Sequence, residues 1–306
     1  PQTINTNVVS LNAQRNLNSS QSSLATAMQR LSSGLRVNSA KDDAAGLAIA
    51  ERMNAQIRGM NVAVRNANDG ISLAQTAEGA LGKMGDMLQR MRELAIQSRN
   101  ASNSEGDRQN LQREFGELQS EIGRVIRSST FNTKPLFDGS SGTLTFQVGA
   151  NASQDDRIDV DSMDLLGTAG AASAALGTAA TDDLVLATVT GAWTGTDGIA
   201  IGGAAGTVVA STTEIDDAIR VIDAALNIIN DKRAVFGAIQ NRFEAVIGNL
   251  QVAAENQAAA RGRIMDADFA AETAALSRSQ ILQQAGTAMV AQANQLPQQV
   301  LSLLQR

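Results

Sequence analysis

The sequence predicts a mainly α-helical protein. Its N- and C-terminal segments form a long antiparallel coiled-coil rod, and a β-hairpin and a small Gly/Ala/Thr-rich β insert occupy the middle. Three observations carry this prediction. Apolar residues recur at an average spacing of 3.5 residues over two long stretches, the signature of helices supercoiled against partners. The chain has only three prolines, so long helices run uninterrupted. Between the two stretches the period changes to alternation, with turn residues at its edges.

Residues 1–40 hold Arg15, Arg30 and Arg36 and no acid. Ile4, Val8 and Leu11 make one apolar stripe. Leu17, Leu24, Met28, Leu31 and Leu35 make a second, out of phase with the first. Asn, Gln and Ser fill the polar positions, so this helix is marginal alone and is ordered by packing. Gly34 is placed to end it. The stretch from Arg36 to Asp43 reads as a connector, with Asp42 or Asp43 capping the next helix.

That next helix spans 44–99. Ala50, Met53, Ile57, Met60, Val64, Ala67, Ile71 and Ala74 form one run, and Ala77, Leu81, Met84, Leu88, Met91 and Ala95 a second. The runs join through consecutive steps of three, which resembles a stammer. At 1.5 Å per residue such a helix is roughly 80 Å long, a strut rather than a globular element. The cluster 100–106 is a turn. A helix over Asp107–Arg127 follows, with Leu111, Phe115, Leu118, Ile122 and Val125 on one face, folding back on the strut. Thr143–Val148 and Arg157–Val160 then alternate around turn residues and predict a β-hairpin.

Residues 165–213 are rich in Gly, Ala and Thr and poor in charge. Leu184–Val189, Ile199–Ile201 and Val208–Val209 are candidate strands in a small or loosely ordered lobe. From Glu214 a strict heptad returns: Ile215, Ile219, Ile222, Leu226, Ile229, Arg233, Phe236, Gln240, Phe243, Ile247, Leu250 and Ala254. Arg233 and Gln240 on that seam would fix register. The helix should end near Gly262. A last helix, starting near Asp266 or Asp268, carries Phe269, Leu276, Leu282, Ala285, Met289, Leu296, Val300, Leu303 and Leu304 as its apolar set. No charge lies between Arg278 and Arg306.

Composition excludes several functions. The chain has 306 residues, 25 basic and 31 acidic, with no cysteine and no histidine. A thiol nucleophile, a Cys/His zinc site and a histidine general base are therefore excluded. No cofactor or metal is expected. Asp155, Asp156, Asp159, Asp161 and Asp164 lack the spacing of a calcium loop and read as a solvated acidic turn. Gly198, Gly202 and Gly203 precede no Gly-Lys-Ser/Thr and make no phosphate loop. No basic cluster suggests nucleic acid. No apolar run is long enough to span a membrane, and the first residues lack the features of a classical signal peptide. Methionines 53, 60, 84 and 91 read as core gap-fillers.

Each terminal helix has an apolar stripe that it cannot cover alone and a polar face with few charges. Such faces can approach identical copies without burying charge. Head-to-tail association of copies would give an open helical filament.

Specific motifs add to this. They are Gln29–Gly46 (QRLSSGLRVNSAKDDAAG), Leu88–Asn100 (LQRMRELAIQSRN), Phe146–Asn151 (FQVGAN) and the close Gln298–Leu304 (QQVLSLL). With them the chain resembles bacterial flagellin over about residues 1–160 and 215–306. The resemblance implies a non-enzymatic subunit of the extracellular flagellar filament, used for swimming and exported by the flagellar type III apparatus. It implies that 1–43 and 264–306 form the inner filament core, disordered in the free subunit. Residues 44–164 and 214–263 would form the rod, and 165–213 a short variable outer surface. Core packing would fall to Ile4, Val8, Leu11, Leu31, Leu35, Leu296, Val300, Leu301, Leu303 and Leu304. Implied partners are copies of the chain, an export chaperone, and the hook-associated junction and cap proteins. Host Toll-like receptor five would contact Gln89, Arg90, Arg92, Glu93, Leu94 and Glu114, and an inflammasome sensor would read Leu301, Leu303 and Leu304. Without the resemblance, Arg90, Arg92 and Glu93 read as a solvated face with local ion pairs. The hook–filament junction protein is the alternative within the same architecture. A secreted enzyme or effector finds no catalytic chemistry in the insert beyond Asp182, Asp183 and Asp197.

Overall fold

The computed structural model describes residues 7–165, 200–202 and 212–304, the last nine of these as helical backbone alone. The strands expected at Leu184–Val189 and Val208–Val209 lie outside the described residues, as does Ile4.

Five helices carry the described chain: α1 (Val8–Ser33), α2 (Ala44–Ser98), α3 (Glu105–Ser128), α4 (Thr212–Met265) and α5 (Phe269–Leu304). Side chains start them where the sequence offers acceptors. The Asn7 side chain accepts from the Ser10 N–H, and Asp43 accepts from the Gly46 N–H. Ser104 and Asp107 exchange hydrogen bonds in a capping box, which holds the Asp107 carboxyl below its usual range. Asp268 accepts from the Ala270 and Ala271 N–H groups. Gly34 ends α1 at φ +71°, a left-handed conformation open to glycine, and donates to the Arg30 carbonyl.

The chain packs as two units, one of residues 1–58 and 253–306 and one of residues 59–252. In the second, α4 runs antiparallel to α2. Arg99 pairs with Asp216, Arg92 with Asp223, and Gln240 donates to Glu78 at 2.9 Å. Leu81, Met84, Leu88 and Met91 of α2 are fully buried together with Ile215, Ile222, Ile229 and Phe243 of α4. Burial is wider than the predicted seam, because Leu73 and Leu94 of α2 and Ala218 and Ala225 of α4 are buried too. The unit is not a bare two-helix coil: Phe115, Ile122 and Ile126 of α3 and residues of the strand region share its core. A helix with two partners buries a broader arc than a two-per-heptad stripe. The seam position expected for Arg233 is corrected: its side chain is exposed, whereas Gln240 is half-buried and hydrogen-bonded.

Two antiparallel strand pairs follow α3. β1 (Thr130–Phe131) pairs with β2 (Lys134–Pro135), and β3 (Thr143–Gln147) with β4 (Arg157–Asp161). The second is the expected hairpin. Its exposed face pairs Thr143 with Asp161 and Thr145 with Asp159 by side-chain hydrogen bonds. The first was not visible in the sequence. Its turn places Asn132 and Thr133 at φ 47° and 66°, the geometry of a two-residue hairpin turn, and Thr133 is a strained choice for that position. It delivers Leu136 and Phe137 to the core.

The segment Ala200–Gly202 is not a strand; it is anchored by contacts along its backbone. Ile201 is fully buried. Its carbonyl accepts from the buried Ser98 hydroxyl, and the Ile201 and Gly202 N–H groups both donate to Gln112. These bonds satisfy backbone groups that burial would otherwise leave unpaired.

The motif 146–151 closes the other end of this core. The Phe146 ring meets Phe243 edge to face at 5.5 Å. Asn66 donates to the Gln147 carbonyl, and the Gln147 side chain donates back to the carbonyls of Gly149 and Asn151. A Cβ on Gly149 would collide with the Asp156 carboxylate. A Cβ on Gly70 would sit 2.5–2.9 Å from the Phe243 ring. Gly70→Ala gains about 1 kcal/mol of helix propensity, but overpacking costs about 1–3 kcal/mol, and Phe243 is fully buried. Gly70→Ala should therefore lower the urea midpoint, and Phe243→Leu added to it should recover part of the loss. An alanine variant more stable than the parent would refute this reading of the contact.

Candidate functional site

The first unit is built on α1 and α5, which pack antiparallel. At one end the Asn7 side chain donates to the Ala293 carbonyl at 2.7 Å and the Ser10 hydroxyl to Asn294 at 2.8 Å. In the middle a Cβ on Gly286 would lie 3.1 Å from Leu17, so the helices meet closely there. At the other end Arg30 pairs with Glu272 at 3.0 Å. Glu272, Gly286, Ala293 and Asn294 of α5 meet α1 in these contacts, and Ser279 is buried on the same face. Small side chains let two backbones approach, and dispersion contacts rise with that closeness.

The two connectors then lock together. Arg36 N–H donates to the Met265 carbonyl and Ala267 N–H to the Gly34 carbonyl. The Arg36 guanidinium donates to the carbonyls of Ile264 and Arg263 at the end of α4, where a cation suits the helix dipole. Beneath lies a small core of Val37, Ala50 and Met265. Asp42 closes the turn before α2. Its carboxylate accepts from the Asn38 N–H, the Ser39 N–H and the Ser39 hydroxyl.

This packing half-buries Leu17, Leu24, Leu276 and Val290 and leaves several other large apolar residues outside. Val8 is 61% exposed and Leu11 49%, while Leu31 and Leu35 are half-buried. On α5, Phe269, Ile281, Leu282 and Met289 are all at least half exposed, Ile281 most at 65%. Among the described residues, eight of the thirteen exposed large apolar side chains lie on α1 or α5. Leu296, Val300, Leu301, Leu303 and Leu304 lie on α5, but their side chains are outside the described residues. Ile281, Ser279, Gly286 and Ala293 lie outside the apolar set that the sequence predicts for this helix, the last three because small and polar residues add nothing to an apolar period.

The second expected site is on the unit of residues 59–252. Gln89, Arg90, Glu93 and Glu114 are exposed. Arg90 bridges Glu114 of α3 at 2.8 Å and Glu93 at 3.0 Å. Those two carboxylates raise the Arg90 pKa, Glu114 most. Arg92 faces the other way, held bidentately by Asp223 of α4. Leu94 departs from the expected surface position: it is fully buried in the core and supports the face from beneath.

The chain matches the model of the bacterial flagellin N-terminal helical region over residues 4–142. It matches that of the C-terminal helical region over residues 219–304. It belongs to the bacterial flagellin family. A flagellin of Halalkalibacterium halodurans is 44% identical across 98% of this chain and 99% of its own. The B-type flagellin of Pseudomonas aeruginosa is 36% identical across 99% of each. A Vibrio parahaemolyticus chain described as a flagellar hook-associated protein has the same fold at a TM-score of 0.55. It is 12% identical, over 74% of this chain and all of that one. As a flagellin, this chain is a structural, non-enzymatic subunit of the self-assembling bacterial flagellar filament. No helix among the described residues is long and apolar enough to cross a membrane.

The flagellin connector carries a pH dependence. Backbone N–H donation from Asn38, then the Ser39 hydroxyl and N–H, hold the Asp42 carboxyl below its usual range. A depressed carboxyl contributes stability that is full above its unfolded value of about 4 and is lost as pH falls through the folded one. The Asn38 and Ser39 amide resonances should therefore shift together in an NMR titration below about pH 4, and Asp42→Asn should flatten that titration. Amides that titrate identically in the variant would refute the assignment.

Proposed function

We propose that α1 and α5 form the filament's inner core and use their exposed apolar residues to bind neighbouring copies. The exposure of Val8, Leu11, Phe269, Ile281, Leu282 and Met289 on one helix pair carries this reading. A soluble chain that leaves such residues uncovered marks an interaction surface. The uncharged run 279–305 supports it, because burying that face between copies desolvates no charge. In this reading residues 1–43 and 264–306 gain fixed packing on assembly, 44–164 and 214–263 form the surrounding rod, and 165–213 lies on the outer surface. The filament serves swimming motility. Before assembly the exposed stripe needs cover, which assigns an export chaperone to the C-terminal helix. The flagellar export apparatus and the hook-associated junction and cap proteins complete the partners.

The family reading extends to host recognition. Gln89, Arg90, Glu93 and Glu114 form a charged, exposed face suited to Toll-like receptor five, with Arg92 beside it and Leu94 fixing it from below. Leu301, Leu303 and Leu304 are assigned to an inflammasome sensor.

Seeded elongation followed by electron microscopy tests the assembly reading. Wild-type subunits should grow long tubes, while Ile281→Asp and Leu303→Asp should not. Melting of Ile281→Asp should stay within about 0.5 kcal/mol of the parent, since the site is exposed. Normal filaments from both variants would sink the reading. Wild-type protein that binds only at filament or hook ends would favour the junction-protein alternative. For the receptor face, Arg90→Ala should reduce signalling in receptor-bearing cells with little change in melting, because its ion pairs are exposed. Leu94→Ala should instead cost about 2–5 kcal/mol of stability. Undiminished signalling by Arg90→Ala would remove the receptor assignment.

A further inference from the structure

The oxidisable side chains of this chain are unusually few. It has no cysteine, histidine or tyrosine, and one tryptophan, Trp193. Nine methionines remain. Met60, Met84, Met91 and Met265 are buried, and Met53, Met87 and Met163 are half-buried. Met28 and Met289 are exposed, at 54% and 59%. Both stand on the α1–α5 pair, one on each helix.

We propose that Met28 and Met289 are sites of reversible S-oxidation, and that their sulfoxides disable the free subunit for assembly. The inference rests on the assembly reading of this helix pair. The oxidant is a two-electron oxygen donor of the peroxide class. The thioether sulfur attacks the peroxide, the O–O bond breaks, and an S–O bond forms. Sulfur loses two electrons and the remaining peroxide oxygen leaves as water. The product is polar and chiral where the thioether was apolar and flexible. Its new acceptor must be buried between copies, on faces that supply few donors for it, and an unpaired buried acceptor opposes association. Rate of oxidation follows access, so the core methionines react later. A subunit already in the filament buries the same two sulfurs and is protected. Damage therefore falls on subunits before incorporation, and a methionine sulfoxide reductase reverses it.

The test treats the full-length subunit with hydrogen peroxide, maps oxygen incorporation by peptide mass spectrometry, and measures seeded elongation. Met28 and Met289 should oxidise first. Elongation should then fall roughly tenfold or more, since the uncompensated acceptor recurs in every subunit contact. Reductase should restore it. Met28→Leu/Met289→Leu, a volume-conserving change, should show the same elongation rate before and after peroxide, whatever that rate is relative to the parent. In preformed filaments both methionines should react more slowly than in the subunit. Oxidation of Met84 or Met91 at the same rate overturns the proposal. So does unchanged elongation of the selectively oxidised subunit, or equal peroxide inhibition of the leucine variant. Ile281→Asp run in parallel separates the two failures. If it blocks elongation while the sulfoxides do not, this proposal alone fails. If neither blocks it, the assembly reading falls as well.

Discussion

The close approach of α1 and α5 decides what the rest of this chain can do. Glu272, Gly286, Ala293 and Asn294 of α5 contact α1, Ser279 is buried between them, and Gly286 lets Leu17 of α1 come nearly onto the α5 backbone. A seam of leucines would have buried the apolar residues within the chain. Here small and polar residues share the contact with half-buried Leu17, Leu24, Leu276 and Val290, and Ile281, Leu282 and Met289 stay outside. The pairing is also directional. Arg30 and Glu272 fix one end, while Asn7, Ser10 and Asn294 fix the other. A uniformly apolar contact would tolerate sliding by a turn; these partners do not.

The unit of residues 59–252 follows the opposite rule. There the apolar residues face inward and their positions are set by hard contacts. Gly70 is empty because the Phe243 ring fills its space, and Phe243 is placed by Phe146. Ile201 plugs the core where the chain returns from the central segment, with every polar atom of its backbone paired through Ser98 and Gln112. Charges decorate this unit rather than hold it. Arg90 and Arg92 of α2, and Arg99 just after it, reach α3 and α4 over a core already closed beneath them. The same stretch thus serves twice: Leu88, Met91 and Leu94 are packing, and the arginines between them are surface.

Much of this was legible in the sequence. Helix boundaries followed from Gly34 and Asp43, because capping is local chemistry and needs no tertiary knowledge, whereas the Ser104 capping box starts α3 at Glu105, two residues before the predicted start. The hairpin of β3 and β4 followed from alternation. The failures have physical causes. Arg233 kept the heptad in sequence yet lies exposed, since a third helix and the strand region moved the buried arc of α4 sideways. The turn at Asn132–Thr133 carries no glycine to announce its positive φ, so its strand pair was missed. Leu94 was assigned to a surface on resemblance alone; burial is a property of the folded core that a motif does not display. The α5 seam was missed because Ser, Gly and Ala read as neutral in a search for apolar periodicity.

That last omission bears on the function. Periodicity reports which residues want to be buried, and it does not say against what. On α2 the apolar run and the intramolecular seam coincide. On α5 they separate in part: Leu276 and Val290 are half-buried like Gly286, between buried Ser279 and Ala293, while Ile281, Leu282 and Met289 are exposed. A helix that keeps large apolar residues outside its own packing carries two instructions, one for its own chain and one for other copies. The second is strong only if no charge must be desolvated along with it, and 279–305 contains none. Low charge, small-residue packing and outward leucines are therefore one constraint seen three ways. A subunit must close on itself loosely enough to keep for its neighbours the surface that a self-contained protein would bury.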